Sequence, residues 1–116
     1  MTQIVQGNAI VTLINVFTVA PQNQQTLIDV LVEATEKVMN TQPGFLSANI
    51  HRSLDGTHVI NYAQWRSRED FEAMLTKSEV LPHLEAANRL ATVEPHLCEV
   101  AFIDEAPPAD HEEVPT

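Results

Sequence analysis

Apolar and polar positions follow two periods along the chain. Residues 10–19 read Ile-Val-Thr-Leu-Ile-Asn-Val-Phe-Thr-Val, a β-branched run that predicts a strand. After Pro21 the period changes. Leu27, Leu31, Ala34 and Val38 recur every three or four residues, which predicts a helix of about four to five turns reaching Asn40. Pro43-Gly44 stops it. Residues 45–53 predict a second strand, Leu54-Asp55-Gly56-Thr57 carries the Asp-Gly signal of a tight hairpin, and residues 58–65 predict a third strand. Ser67, with Asp70 three positions later, offers a helix N-cap. A second cap at Ser78 divides this helical region in two, with Pro82 in the first turn of the second piece. The last strand is predicted over residues 94–103.

The order β-α-β-β-α-β predicts an α+β, ferredoxin-like domain, an antiparallel four-stranded sheet with both helices on one face. Alternation along the third strand leaves Ile60 and Tyr62 on one side and Val59, Ala63 and Trp65 on the other. A sheet that is apolar on both faces in so small a chain needs a second cover. Another copy of the chain supplies it most simply, as a symmetric homodimer whose sheets face each other.

Composition narrows the partners. The 116 residues suit one domain. Six Lys and Arg stand against 16 Asp and Glu, a net charge of −10 that nucleic acid would repel. Part of this acidity is local. Residues 104–116 hold Asp104, Glu105, Asp110, Glu112 and Glu113 with three prolines and no basic residue. The reading is one domain over 1–104 and a solvated acidic tail over 105–116. No apolar run is long enough to cross a membrane. The N-terminus has neither the basic nor the long apolar region of a secretory signal, and one Cys forms no internal disulfide; both fit the cytoplasm.

Two residues break the strand pattern. Asn15 and Asn61 sit within the first and third strands, where Asn is disfavoured and a buried amide without partners costs roughly 1–3 kcal/mol. Either amide can serve a bulge or a neighbouring backbone group, but two suggest a polar spot inside the sheet. Asn61 shares a face with the small Ala63 and with Trp65, which reads as a pocket wall or as a core anchor with one N–H to donate. On the second strand Ser47, Asn49 and His51 follow Phe45 on one face. An odd hairpin loop would bring that face, and His51, to Asn61; an even loop would not.

Other chemistry is sparse. The five histidines, 51, 58, 83, 96 and 111, lack the paired spacing of a metal site. His58 and His111 read as exposed, and Cys98, beside Val100, as a small buried core residue. There is no Gly-rich nucleotide loop and no Gly-x-Ser-x-Gly nucleophile motif. The residues by themselves describe a small dimeric α+β protein with an apolar pocket lined by amides, and name no reaction.

Three segments add to this reading: Pro43-Gly44-Phe45-Leu46-Ser47-Ala48, Ser53-Leu54-Asp55-Gly56-Thr57 and Asn61-Tyr62-Ala63-Gln64-Trp65. Over residues 10–103 the chain resembles the antibiotic-biosynthesis monooxygenase family. Within it, the chain is most similar to the anthrone-type polyketide monooxygenases of the actinorhodin and nogalamycin pathways, the former through Asn61-Tyr62-Ala63-Gln64-Trp65 and the latter through a first strand that resembles Thr12-Leu13-Ile14-Asn15-Val16-Phe17-Thr18. The resemblance implies a dimeric α+β barrel and oxygenation of an anthrone or quinol to a quinone by O2, with no flavin, haem or metal. It implies catalytic roles for Asn15, Asn61 and Trp65: Asn61 on a substrate oxygen, Asn15 on substrate or peroxide, the Trp65 indole on an oxygen. Phe71 stands where the actinorhodin-type enzymes carry a tyrosine, and the family's helix arginine has no secure match, His83 and Arg89 being nearest. Phe71, His51 and His83 are then candidate substrate contacts, with His83, His51 or water left to deliver protons. Two other readings use the same fold. One is a non-catalytic binding or stress-related dimer. The other is a haem-degrading monooxygenase built on Asn15 and His83, whose expected Trp position falls near Met74.

Overall fold

In the computed structural model, which describes residues 2–7 and 9–108, β1 (Val11–Val19) and β3 (His58–Trp65) are the central strands of a four-stranded sheet. β2 (Phe45–Arg52) flanks β3 and β4 (Ala91–Cys98) flanks β1, every neighbouring pair being antiparallel. The helices α1 (Gln24–Lys37), α2 (Arg68–Met74) and α3 (Leu81–Asn88) pack on one face. This is the ferredoxin-like arrangement that the hydrophobic periods predict, with the second helical region in two pieces.

The signals that hold are local ones. Ser67 caps α2 by accepting the Asp70 N–H at 3.0 Å. Pro82 lies in the first turn of α3. In the hairpin, the Asp55 carboxylate accepts from the Thr57 hydroxyl at 2.7 Å, the Thr57 N–H at 3.0 Å and the Ser53 hydroxyl at 2.7 Å. These bonds, the Thr57 hydroxyl foremost, pull its pKa down to about 2.

Elsewhere the boundaries differ. α1 ends at Lys37 and the chain turns through a 3₁₀ segment, Met39–Thr41, before Gly44. Ser78 caps nothing. α3 follows Val80, with the turn closed by backbone bonds from Val80 and Leu81 to the Lys77 carbonyl. β4 runs from Ala91 to Cys98, because Ala91 already pairs with Val19 and no Gly or Pro separates it from the helix. Cys98 is exposed, paired with Thr12 on the edge strand. His58 is half-buried, its Nδ1 2.9 Å from the Thr57 hydroxyl. His111 and the tail residues 109–116 lie outside the described residues.

Gly44 holds the end of α2 against the sheet. Its φ is +84°, and a Cβ there would overlap the Asp70 side chain. That carboxylate is fixed by Arg66 Nε at 2.8 Å and the Ser67 hydroxyl at 3.0 Å, Arg66 being the main cause of its lowered pKa. Gly44→Ala combines a left-handed backbone with a disturbed cap. It is expected to cost roughly 2–3 kcal/mol, read as a lower midpoint in thermal unfolding.

The helix-covered face carries the core in two clusters. Leu13, Ala63, Trp65, Phe71, Met74 and Val80 form one; Phe17, Val19, Leu27, Val59 and Ala87 form the other. The opposite face is only partly covered, by the N-terminal segment. There Thr2 Oγ1 donates to Asn49 Oδ1 at 3.1 Å and Gln64 Nε2 donates to the Gln3 carbonyl at 2.6 Å. Among the described residues no helix is long and apolar enough to cross a membrane.

Candidate active site

The two core clusters are separate because the apolar face of the sheet is interrupted in its middle. On β1 the helix-facing residues are Leu13, Asn15 and Phe17; opposite them on β3 stand Ala63, Asn61 and Val59. Asn15 and Asn61 are direct cross-strand partners, a relation that holds Cβ atoms about 4.5–5.5 Å apart. The Oδ1 atoms of both are buried and have no hydrogen-bond partner among the described residues. Neither amide therefore serves a bulge or a backbone group through its oxygen. Each leaves an acceptor unmet, at a cost of roughly 1–3 kcal/mol.

Above the pair lies a cavity of about 270 Å³ between sheet and helices. Its aromatic wall is Trp65, with Phe45 edge-on at 5.6 Å and 89° and Phe71 at 6.0 Å and 70°. Phe45 reaches this wall through a bulge. The register shifts between Phe45 and Ser47, so Phe45 pairs with Trp65 while Ala48 pairs with Ala63. Ala48 and Ala63 leave the floor beside the amides bare. The helical side is closed by apolar residues such as Leu31, Met74 and Leu84, and by three polar groups, Thr35, His83 and Asn88.

Asn15, Asn61, Trp65, Phe71 and His83 thus line one cavity. His51 does not join them. The Ser53 N–H bonds to the His58 carbonyl, leaving residues 54–57, an even loop, and His51 pairs with Ile60 on the opposite face. There it is exposed, its Nδ1 3.0 Å from the Asn49 carbonyl. Asn88, Thr35, Phe17 and Phe45 are the polar and aromatic members that sequence reasoning missed. Only Phe45 carried a hint, as an aromatic next to the Pro-Gly turn.

His83 is the one titratable side chain among the described lining residues, and no Asp, Glu, Lys or Arg joins it. The shifted carboxylates lie elsewhere: Asp55 in the hairpin, Asp70 at the α2 cap, and Glu79, lowered by its own backbone N–H and then by Gln42. Among the described residues no three His, Cys, Asp or Glu side chains gather as a metal-binding group. The site is an apolar, aromatic-walled chamber with a pair of amides set in its floor.

The family model described as antibiotic biosynthesis monooxygenase matches residues 10–90. The chain belongs to this family. The matched span takes in every described cavity residue except Val93 and Pro95 of β4. Tetracenomycin-F1 monooxygenase of Streptomyces glaucescens is 47% identical over 89 residues, 77% of this chain and 80% of that protein. The structure of SnoaB, a cofactor-independent oxygenase from Streptomyces nogalater, matches with a TM-score of 0.66 at 27% identity. That match covers 83% of this chain and 97% of SnoaB. A conserved protein from Methanosarcina mazei matches with a TM-score of 0.70 at 8% identity, over 78% of this chain and 92% of its own, a likeness of fold alone. This member of the antibiotic biosynthesis monooxygenase family is an enzyme, a monooxygenase.

Proposed function

We propose that this monooxygenase oxidises an anthrone- or quinol-type aromatic polyketide to a quinone with O2 and without a cofactor. The observation that carries the reading is the pair of partnerless amides, Asn15 and Asn61, side by side on the floor of an apolar cavity walled by Trp65, Phe45 and Phe71. The relatives support it. One is named for its action on tetracenomycin F1, and SnoaB is described as a cofactor-independent oxygenase.

The chemistry asks little of a protein. Triplet O2 reacts poorly with closed-shell molecules, but an anthrone that has lost a C–H proton is an electron-rich enolate able to pass one electron to O2. The radicals combine to a peroxide, which loses water to leave the quinone. A flat substrate slots between the aromatic wall and the helices. Asn61 meets the enolate oxygen, Asn15 meets substrate or peroxide, and Trp65 offers its indole N–H to an oxygen. Phe71 contributes contact area only. An amide presents two donors and an acceptor, so the same pair can hold a neutral phenol and a developing oxyanion. Exclusion of bulk water strengthens each of these bonds.

Oxygen uptake with dithranol on metal-stripped protein tests the reading, with spontaneous oxidation subtracted. Uptake above the blank that survives chelation is expected. Uptake no faster than the blank would overturn the anthrone- or quinol-type substrate, and a Soret shift on titration with haem would favour haem degradation.

The working unit under this reading is a homodimer. The sheet face away from the helices presents half-buried Ile14, Val16, Ile60 and Tyr62, and the Tyr62 hydroxyl is buried there without a partner. A second copy, sheet against sheet, covers these residues. Light scattering should return twice the chain mass; a monomeric mass would refute the dimer.

A further inference from the structure

We infer that His83 is the proton carrier of the reaction, an inference that rests on the proposed oxygenase function. An amide-lined pocket stabilises an enolate but does not make one, since carboxamides neither take nor give protons near neutral pH. A group that titrates must do so, and the cavity contains one. Of the four described histidines, His51, His58 and His96 belong to strand positions on the opposite face, paired with Ile60, Thr18 and Ile14. Tyr62, the chain's single tyrosine, also pairs with Ile14 and stands on that face. Only His83, in the first turn of α3, lines the chamber. It is half-buried, and no described residue hydrogen-bonds its ring. The imidazole is therefore only half covered and keeps its ring nitrogens free of the described residues, as a carrier that exchanges protons with solvent requires.

Its surroundings bring no second ionisable side chain to the cavity. α1 turns Leu31, Ala34 and Thr35 to the cavity and β4 turns Val93 and Pro95, none of which titrates. Glu33, Glu36 and Lys37 of α1 are exposed, and Glu94 of β4 pairs with Val16 on the far face. On its own segment Lys77, Glu79, Glu85 and Arg89 lie outside the lining.

The steps balance. Neutral imidazole takes one proton from the substrate methylene, and the carbanion gives one electron to O2. Carbon radical and superoxide join in a C–O bond, and the imidazolium returns its proton to make the hydroperoxide. Imidazole then removes the second methylene proton. That C–H electron pair becomes the second bond of C=O as the O–O bond breaks, and the departing hydroxide takes the proton from the imidazolium to leave as water. One CH2 and one O2 become one C=O and one H2O, and His83 is restored.

The test separates this role from the function beneath it. Dithranol is incubated with protein in D2O under nitrogen and methylene deuteration is followed by NMR, with oxygen uptake measured in parallel and blanks subtracted. Wild type is expected to accelerate both. His83→Gln should lower both by about 10²-fold, within the usual range for a lost acid–base group, and flatten the acidic limb of the kcat/KM profile. His83→Ala should recover activity with added imidazole, which a loss of packing would not allow. Deuteration by His83→Gln at the wild-type rate, or an unchanged acidic limb, would overturn the role of His83 while wild-type uptake left the oxygenase standing. Wild-type protein that neither deuterates dithranol nor consumes oxygen would overturn both.

Discussion

Asn61→Ala is expected to lower turnover by about 10²–10³-fold, the range seen when one donor to a developing oxyanion is removed, and to leave thermal stability unchanged or slightly raised. The two halves of this expectation come from the same atoms. Asn61 Oδ1 is buried without a partner among the described residues, so truncation relieves a polar group that folding left unmet and breaks no bond at that oxygen. Of the neighbours on its face, Ala63 and Val59 along β3 and Ile50 on β2 are apolar and accept a methyl group, and Asn15 on β1 makes no bond to it that truncation would break. A residue kept in the centre of a sheet at a cost in stability, and needed for rate, is positioned for chemistry. Steady-state oxygen uptake beside a thermal melt reads both quantities. Wild-type turnover in a folded Asn61→Ala protein would remove Asn61 from the mechanism. A drop in rate matched by a falling melting temperature would make it a structural residue instead.

Trp65 calls for two substitutions, because it serves the core and the cavity together. It is 2% exposed and makes both edge-on ring contacts of the wall. Trp65→Ala should cost about 3–5 kcal/mol, a large share of the roughly 5–15 kcal/mol that holds a domain together, and a chemical denaturation curve will show it. Trp65→Phe keeps a ring between Phe45 and Phe71 and loses the indole N–H. Its fold should survive, with turnover reduced by about 10- to 10²-fold, the worth of one hydrogen bond to a charged group. A Phe variant with full activity would limit Trp65 to packing.

Much of the fold was legible because its signals are short-range. The Asp-Gly hairpin and the Ser67 cap each act within a few residues and appear where the sequence places them, whereas α1 ends at Lys37, ahead of the Pro-Gly pair. The amides at 15 and 61 were legible as misfits in apolar strands. Their direct pairing was not, since register between distant strands is decided by packing over the whole sheet. His51 turned on the parity of one loop, and Phe45 on a single bulged residue that strand alternation does not announce. The start of β4 was obscured for a different reason: Ala91-Thr92-Val93 follows α3 with no breaker, so only the pairing of Ala91 with Val19 marks the change. Ser78 shows the converse, a capping residue type where backbone bonds to Lys77 already close the turn.

The direct pairing of Asn15 with Asn61 has a kinetic consequence. The hairpin of β2 and β3 joins neighbours in sequence and can form early, but β1 must cross α1 and the whole hairpin to reach β3. Such long loops are closed slowly. Until β1 docks, neither amide has its companion and the chamber has half a floor. Activity is therefore a clock for a long-range pairing of the sheet. On refolding, ellipticity from helices and hairpin should recover first, and oxygen uptake only when the first strand has found the third.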